Sequence, residues 1–197
     1  ERAFVKFKEE KPIVNSLSIK ERGIFLDYVK ENETFYYPVL CFAVYTGLRR
    51  GELHALRWKD INLVDESVYV QHSMLDNGTI KTTKTSFHRK IFLNDHLLHI
   101  LRILKKGRKS KNDFVFHSKS GRHLAYNQLT KTVKRSAKRA GLKHITIHSL
   151  RHTCGSAIAN QSGILMAQLV LGHKDISTTM RYYHFDEDAV REAMRKQ

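Results

Sequence analysis

Thr46-Gly47-Leu48-Arg49-Arg50-Gly51-Glu52-Leu53 is the stretch on which the reading of this chain turns. Residues 35–45 before it form an apolar run that Pro38, a residue suited to a first helical turn, can open as helix. Gly47 breaks the run and helical spacing resumes over 49–58, so the break sets Arg49 at a helix start. Glu52 lies three residues on and shares that helical face. Two readings are open for it: a partner that holds Arg49 in place, or half of an ordinary exposed salt bridge. Arg50 has no motif role and reads as a solvated charge or a general phosphate contact.

Downstream, two more segments concentrate side chains able to do chemistry: His148-Ser149-Leu150-Arg151-His152, and Leu171-Gly172-His173 followed by Tyr182. Residues 164–171 and 176–179 read as short helices joined by Gly172-His173-Lys174-Asp175, a connection that projects His173 inward. The remainder from 149 to 195 reads as helices with short connections. Upstream, Ser18-Ile19-Lys20-Glu21 is a capping box that starts a helix running to about residue 29.

Between these ends lie β-prone segments at 68–70, 79–83 and 90–93, the first two separated by the turn signal Asp76-Asn77-Gly78. Helical spacing returns at 96–105 and 127–140, with the brief strand-like Phe114-Val115-Phe116 between them. The expected class is α+β, mainly α, with one small antiparallel sheet. No repeat or Pro/Gly/Ser-rich linker divides the chain. The charged, irregular residues 1–15 are expected as a lead-in to a single domain over 16–197.

Composition narrows the partner. Of 197 residues, 41% are hydrophobic, enough for one ordinary core; 35 lysines and arginines against 19 acids give a formal net charge of +16. An extended anion, nucleic acid first, is the natural partner for such a charge. No apolar run approaches the roughly 20 residues of a spanning helix, so a membrane partner is not expected and the chain is placed in the cytoplasm. The two cysteines, Cys41 and Cys154, form no zinc-type pairing and read as buried thiols. The twelve histidines include no His-Glu-x-x-His arrangement, so neither a metal nor another cofactor is expected.

The three segments together closely resemble the signature of the tyrosine recombinases of the phage-integrase family, over 18–184 of this chain. The resemblance implies a catalytic domain of the DNA breaking-rejoining fold in which Arg49, Lys84, His148, Arg151, His173 and Tyr182 surround one scissile phosphate. Arg49 and Arg151 would clamp it, since planar guanidinium forks suit the charge that grows on phosphorus oxygens in the transition state. His148 and His173 would hydrogen-bond the phosphate and shuttle the nucleophile's proton. Glu52 and His152 are supporting residues, His152 because adjacent side chains on a helix diverge.

Tyr182 is the expected nucleophile. Its neighbour Tyr183 is the rival, and the family spacing through Ser177-Thr178-Thr179 favours Tyr182. Lys84, in Thr83-Lys84-Thr85-Ser86, resembles the family's hairpin lysine that protonates the leaving oxygen, with Lys81 and Lys90 as alternatives. One departure stands out: in Arg89-Lys90-Ile91-Phe92-Leu93, Phe92 occupies a place where relatives often carry proline, which concerns strand shape rather than chemistry.

The resemblance further implies site-specific recombination of double-stranded DNA by a homo-tetramer through a 3′-phosphotyrosyl intermediate, with accessory DNA-bending proteins as further partners. It also implies a DNA-binding domain preceding residue 1. The tail over 186–197, with Val190, Ala193 and Met194 on one face, would dock in a neighbouring protomer or pack on its own domain. Type IB topoisomerase-like relaxation and non-catalytic DNA binding are the competing functions.

Overall fold

The computed structural model describes residues 15–82, 88–107, 113–118, 120, 122–173 and 175–179. Lys84, Tyr182 and Tyr183 lie outside the described residues, as do the tail over 186–197 and nearly all of the lead-in.

A helix that is apolar on every side can only be central, and α2 (Tyr37–Thr46) is one. Val39, Leu40, Cys41, Phe42, Ala43 and Val44 are all buried in it. Against it pack α1 (Ile19–Asn32), α3 (Arg50–Ala55), α4 (Asp95–Lys106) and α6 (Ile147–Ser162). The Ser18 capping box forms with both arms, Ser18 Oγ accepting from Glu21 N–H and Glu21 accepting from Ser18 N–H. The helix it starts runs three residues beyond the expected end. Leu97, Leu98, Ile100 and Leu101 supply the inner face of α4. In α5 (Tyr126–Arg139), Leu129, Val133 and Ala137 recur at every fourth residue and are buried.

Two small antiparallel sheets stand where one was expected. Strands β1 (Ile61–Asn62), β2 (Ser67–Val70) and β5 (Arg89–Phe92) pair in the order β1-β2-β5, with Val68 opposite Ile91. β3 (His72–Met74) and β4 (Ile80–Thr82) form the second, closed by the Asp76-Asn77-Gly78 turn. Only Gln71 separates β2 from β3. The helix expected over 49–58 stops at Ala55 because Leu56 turns extended. Its carbonyl then accepts from Val115 N–H, while Arg57 bridges Phe114 and Trp58 N–H reaches the Asp113 carbonyl. Phe114-Val115-Phe116 therefore contributes a bridge rather than a strand.

The chain closes with α7 (Ile164–Leu171) and the short α8 (Ile176–Thr179). Cys41 and Cys154 are buried free thiols, as read from the sequence. No helix among the described residues is long and apolar enough to cross a membrane.

Candidate active site

Two turns and the start of a helix meet at one place: the α2–α3 turn carrying Arg49, the first turns of α6 carrying His148 and Arg151, and the α7–α8 turn carrying His173. The first and third are glycine caps. Gly47 and Gly172 end α2 and α7 in the left-handed conformation at φ 62° and 66°, which L side chains adopt only at a cost. A Cβ on Gly47 would also stand 2.6 Å from a Leu171 methyl, so the same glycine lets α7 approach α2.

Arg151 joins the three. Its side chain is buried to 1% exposure; Nη1 donates to the Gly47 carbonyl and Nη2 to the Leu171 carbonyl at 2.7 Å. A guanidinium so deep is tolerated because its donors meet acceptors that the ends of α2 and α7 would otherwise leave without partners. Arg49 is the opposite case. It caps α3 with an exposed side chain, Nη1 at 3.0 Å from Glu52 and Nη2 at 3.4 Å from the Gly172 carbonyl. His148 is exposed in the first turn of α6, its ring edge-on to His152 at 4.3 Å between centroids. Leu48, Arg49, Ser73, Tyr126, His148 and Arg151 line a cleft of about 380 Å³. A larger cavity of about 620 Å³, between Ser18 at the start of α1 and Asn160 near the end of α6, holds none of these residues.

His173 sits on the α7–α8 turn, where its N–H donates to the Gln168 carbonyl and its Nδ1 is 3.0 Å from Thr179 Oγ1. Burial, and then the charges of Arg151, Arg49, Arg89 and His148, press its pKa down to about 4. Its imidazole is neutral at neutral pH. His173 lies between α7 and α8, the two short helices expected from the sequence, and is half-buried.

Glu52 is a buried carboxylate, 2% exposed, so its ion pair with Arg49 is not an ordinary surface salt bridge. It accepts from Arg49 N–H at 2.8 Å and Arg49 Nη1 at 3.0 Å. Burial alone would raise its pKa, but the hydrogen bonds and charge of Arg89, with Arg49, hold it at about 2. Arg89 is the residue sequence reasoning passed over. The signal was available: in a strand, Arg89 shares a face with Ile91 and Leu93, both buried, while Lys90 and Phe92 face out. Arg50 lines the same cleft as Arg49 and is not freely solvated. Its guanidinium lies 3.7 Å from the Tyr126 ring centroid and donates to Thr130, so it is a packed group rather than a solvated charge. Among the described residues, no group of His, Cys, Asp and Glu could hold a metal ion.

The fold is that of tyrosine recombinase catalytic domains. The Tn1549 transposon integrase, solved in complex with transposon right-end DNA, superposes with a TM-score of 0.83 at 25% identity, over 95% of this chain and 67% of that one. The XerA recombinase superposes with a TM-score of 0.74 at 24% identity, over 95% of this chain and 66% of the other. Residues 16–188 match the phage integrase family, and the chain belongs to that family. Among relatives, the tyrosine recombinase XerC of Xanthomonas campestris pv. campestris is 33% identical over 145 residues, 72% of this chain and 41% of XerC. The integrase of Staphylococcus phage L54a is 27% identical over 215 residues, 96% of this chain and 61% of its own length. The chain thus spans less than two thirds of either relative.

Proposed function

We propose that this chain is the catalytic domain of a site-specific DNA recombinase that cleaves and rejoins strands through a tyrosine. The observation that carries the reading is a cleft lined by Arg49, His148 and Arg151, from two separate elements, with His173 on a third element close enough to feel the charges of all three. Their cationic and hydrogen-bonding groups suit a phosphodiester, and the family's named members are recombinases and integrases.

In this reading the Tyr182 oxygen attacks a backbone phosphorus, the bond to the 5′ oxygen breaks, and Lys84 gives that oxygen its proton. The products are a 3′-phosphotyrosyl ester and a free 5′ hydroxyl. A 5′ hydroxyl from the partner duplex then attacks the ester and returns the phenol. One phosphodiester is exchanged for another, so no nucleotide cofactor is consumed. Arg49 and Arg151 hold the phosphate oxygens, and His148 and neutral His173 hydrogen-bond them and take up the proton that Tyr182 loses, returning it when the phenol leaves; Glu52 and His152 keep these groups in place. Because the arginines and the protonated leaving group carry the electrostatic work, no divalent metal is required. The partner is double-stranded DNA, met as a tetramer with accessory bending proteins in the cytoplasm.

The test is a nicked suicide duplex carrying the end sequences of the encoding element, incubated with the chain in EDTA. A covalent adduct is expected with wild type and absent with Tyr182→Phe. Loss in Tyr183→Phe instead moves the nucleophile by one residue; no adduct on a duplex that the protein binds leaves DNA binding without catalysis.

A further inference from the structure

Arg89 opens β5, five positions after Lys84 in the sequence, with its side chain only 10% exposed. Its fork covers both oxygens of Glu52, Nη1 at 3.0 Å and Nη2 at 2.6 Å, and its Nε donates to the Val170 carbonyl at 3.0 Å. The side chain lies flat on the backbone of Gly172, where an added Cβ would stand 2.9 Å from Arg89 Cδ. One guanidinium therefore touches the carboxylate that binds Arg49, the end of α7, and the residue before His173. Arg49 Nη2 reaches the carbonyl of the same Gly172 at 3.4 Å.

From this geometry we infer that Arg89 is a positioning residue for strand cleavage, setting the distance between Arg49 and His173; the inference rests on the proposed function. Two groups that must meet one phosphate tolerate little misplacement, and an error of about 1 Å can cost roughly 100-fold in rate. Arg89 acts on both. It fixes the turn that carries His173, and it shares the charge of Glu52, which would otherwise fall wholly on Arg49 and draw that guanidinium back from the cleft. Lysine cannot substitute, because one ammonium cannot cover two carboxylate oxygens and a carbonyl with planar geometry.

The experiment compares wild type, Arg89→Lys, Arg89→Gln, Glu52→Gln and the Arg89→Gln/Glu52→Gln pair on the suicide duplex. It reads the first-order rate of adduct formation at saturating protein, the dissociation constant for the same duplex, and the melting temperature. Arg89→Lys retains the charge and serves if Arg89→Gln does not fold. Both single Arg89 variants are expected to form adduct about 10-fold to 100-fold more slowly, with affinity within about 3-fold of wild type. The double variant is expected to be no slower than the slower single, because the two residues act as one unit. A wild-type rate in Arg89→Lys overturns the inference, and so does a rate loss matched by an equal loss of affinity or by unfolding at the assay temperature. Wild type is the control that separates the two ideas: without a wild-type adduct the catalytic reading fails and takes this one with it, whereas a wild-type adduct with normal Arg89→Lys cleavage sinks only the role of Arg89.

Discussion

Glu52 receives hydrogen bonds from two arginines where almost none of it meets solvent, so its charge is tolerable only while both remain. Glu52→Gln leaves those guanidinium groups facing a neutral amide, and a loss of about 3 kcal/mol is expected, which lowers the melting temperature by roughly 6–12 °C for a domain of this size. A fall of less than about 2 °C would show that water screens the cluster. Acid destabilises as well, and the sign follows from which state takes the proton. His173, and His54 buried in α3, are held down to about 4, so between about 6.5 and 4 the unfolded chain binds protons that the folded one refuses, and stability falls as pH falls. Glu52, held at about 2, adds its share from about 4.5 downward. Melting temperatures taken at about pH 7.5 and about pH 5 should drop for wild type and drop less for His173→Gln; equal drops would remove His173 from the account. These residues were legible to different degrees. Glu52 and His173 announced themselves by spacing, but what Arg89 touches depends on a strand and a helix end that lie far apart in the sequence.

Glycines separate what an element prefers from what its neighbours allow. Gly23 sits inside α1 with nothing within 4 Å of where its Cβ would be, so Gly23→Ala should stabilise by about 0.5–1 kcal/mol through the unfolded chain's lost freedom. Gly51 is also helical, yet its Cβ would stand 2.5 Å from the Met74 backbone oxygen and 2.4 Å from Ser73 Oγ. Overpacking against backbone of β3 outweighs propensity there, and Gly51→Ala should cost about 1–3 kcal/mol. Urea midpoints at unchanged m-value read both effects, and a Gly51→Ala protein as stable as Gly23→Ala would mean that β3 yields to α3. The same contrast explains which elements the sequence disclosed. α1, α4 and α5 carry local signals, a cap or an apolar face, and their positions were readable within a few residues. The early end of α3 was not, because Leu56 leaves the helix to pair with Val115, a partner invisible to any local window. β1 is two residues long and exists only through its pairing with β2, so no alternation could reveal it.

At the scale of the whole molecule, composition discloses the charge, and the fold discloses how it is distributed. Several acids are turned to structural use: Glu52 is buried between arginines, Glu33 pairs with Arg135, and Asp65 pairs with Lys90. Each such pair engages a base as well, so the excess of +16 is presented by the remaining basic groups, such as the exposed Lys131, Lys134 and Lys138 on α5. A polyanion that meets this surface releases its condensed counterions, and the affinity must then depend steeply on salt. If the chain engages about 6–10 phosphates, its affinity for a duplex of arbitrary sequence should fall by about 10³-fold to 10⁵-fold between about 50 and about 200 mM salt. Fluorescence anisotropy with a labelled duplex measures the slope directly. Replacing an exposed lysine that touches a phosphate, with Lys134→Ala as the first trial, should lower the slope by about one and weaken all sequences alike. Arg89→Lys should leave the slope unchanged, since that side chain is committed to Glu52. A shallow slope in wild type, near the value for one or two contacts, would mean that the basic surface does not face DNA, whatever chemistry the cleft performs.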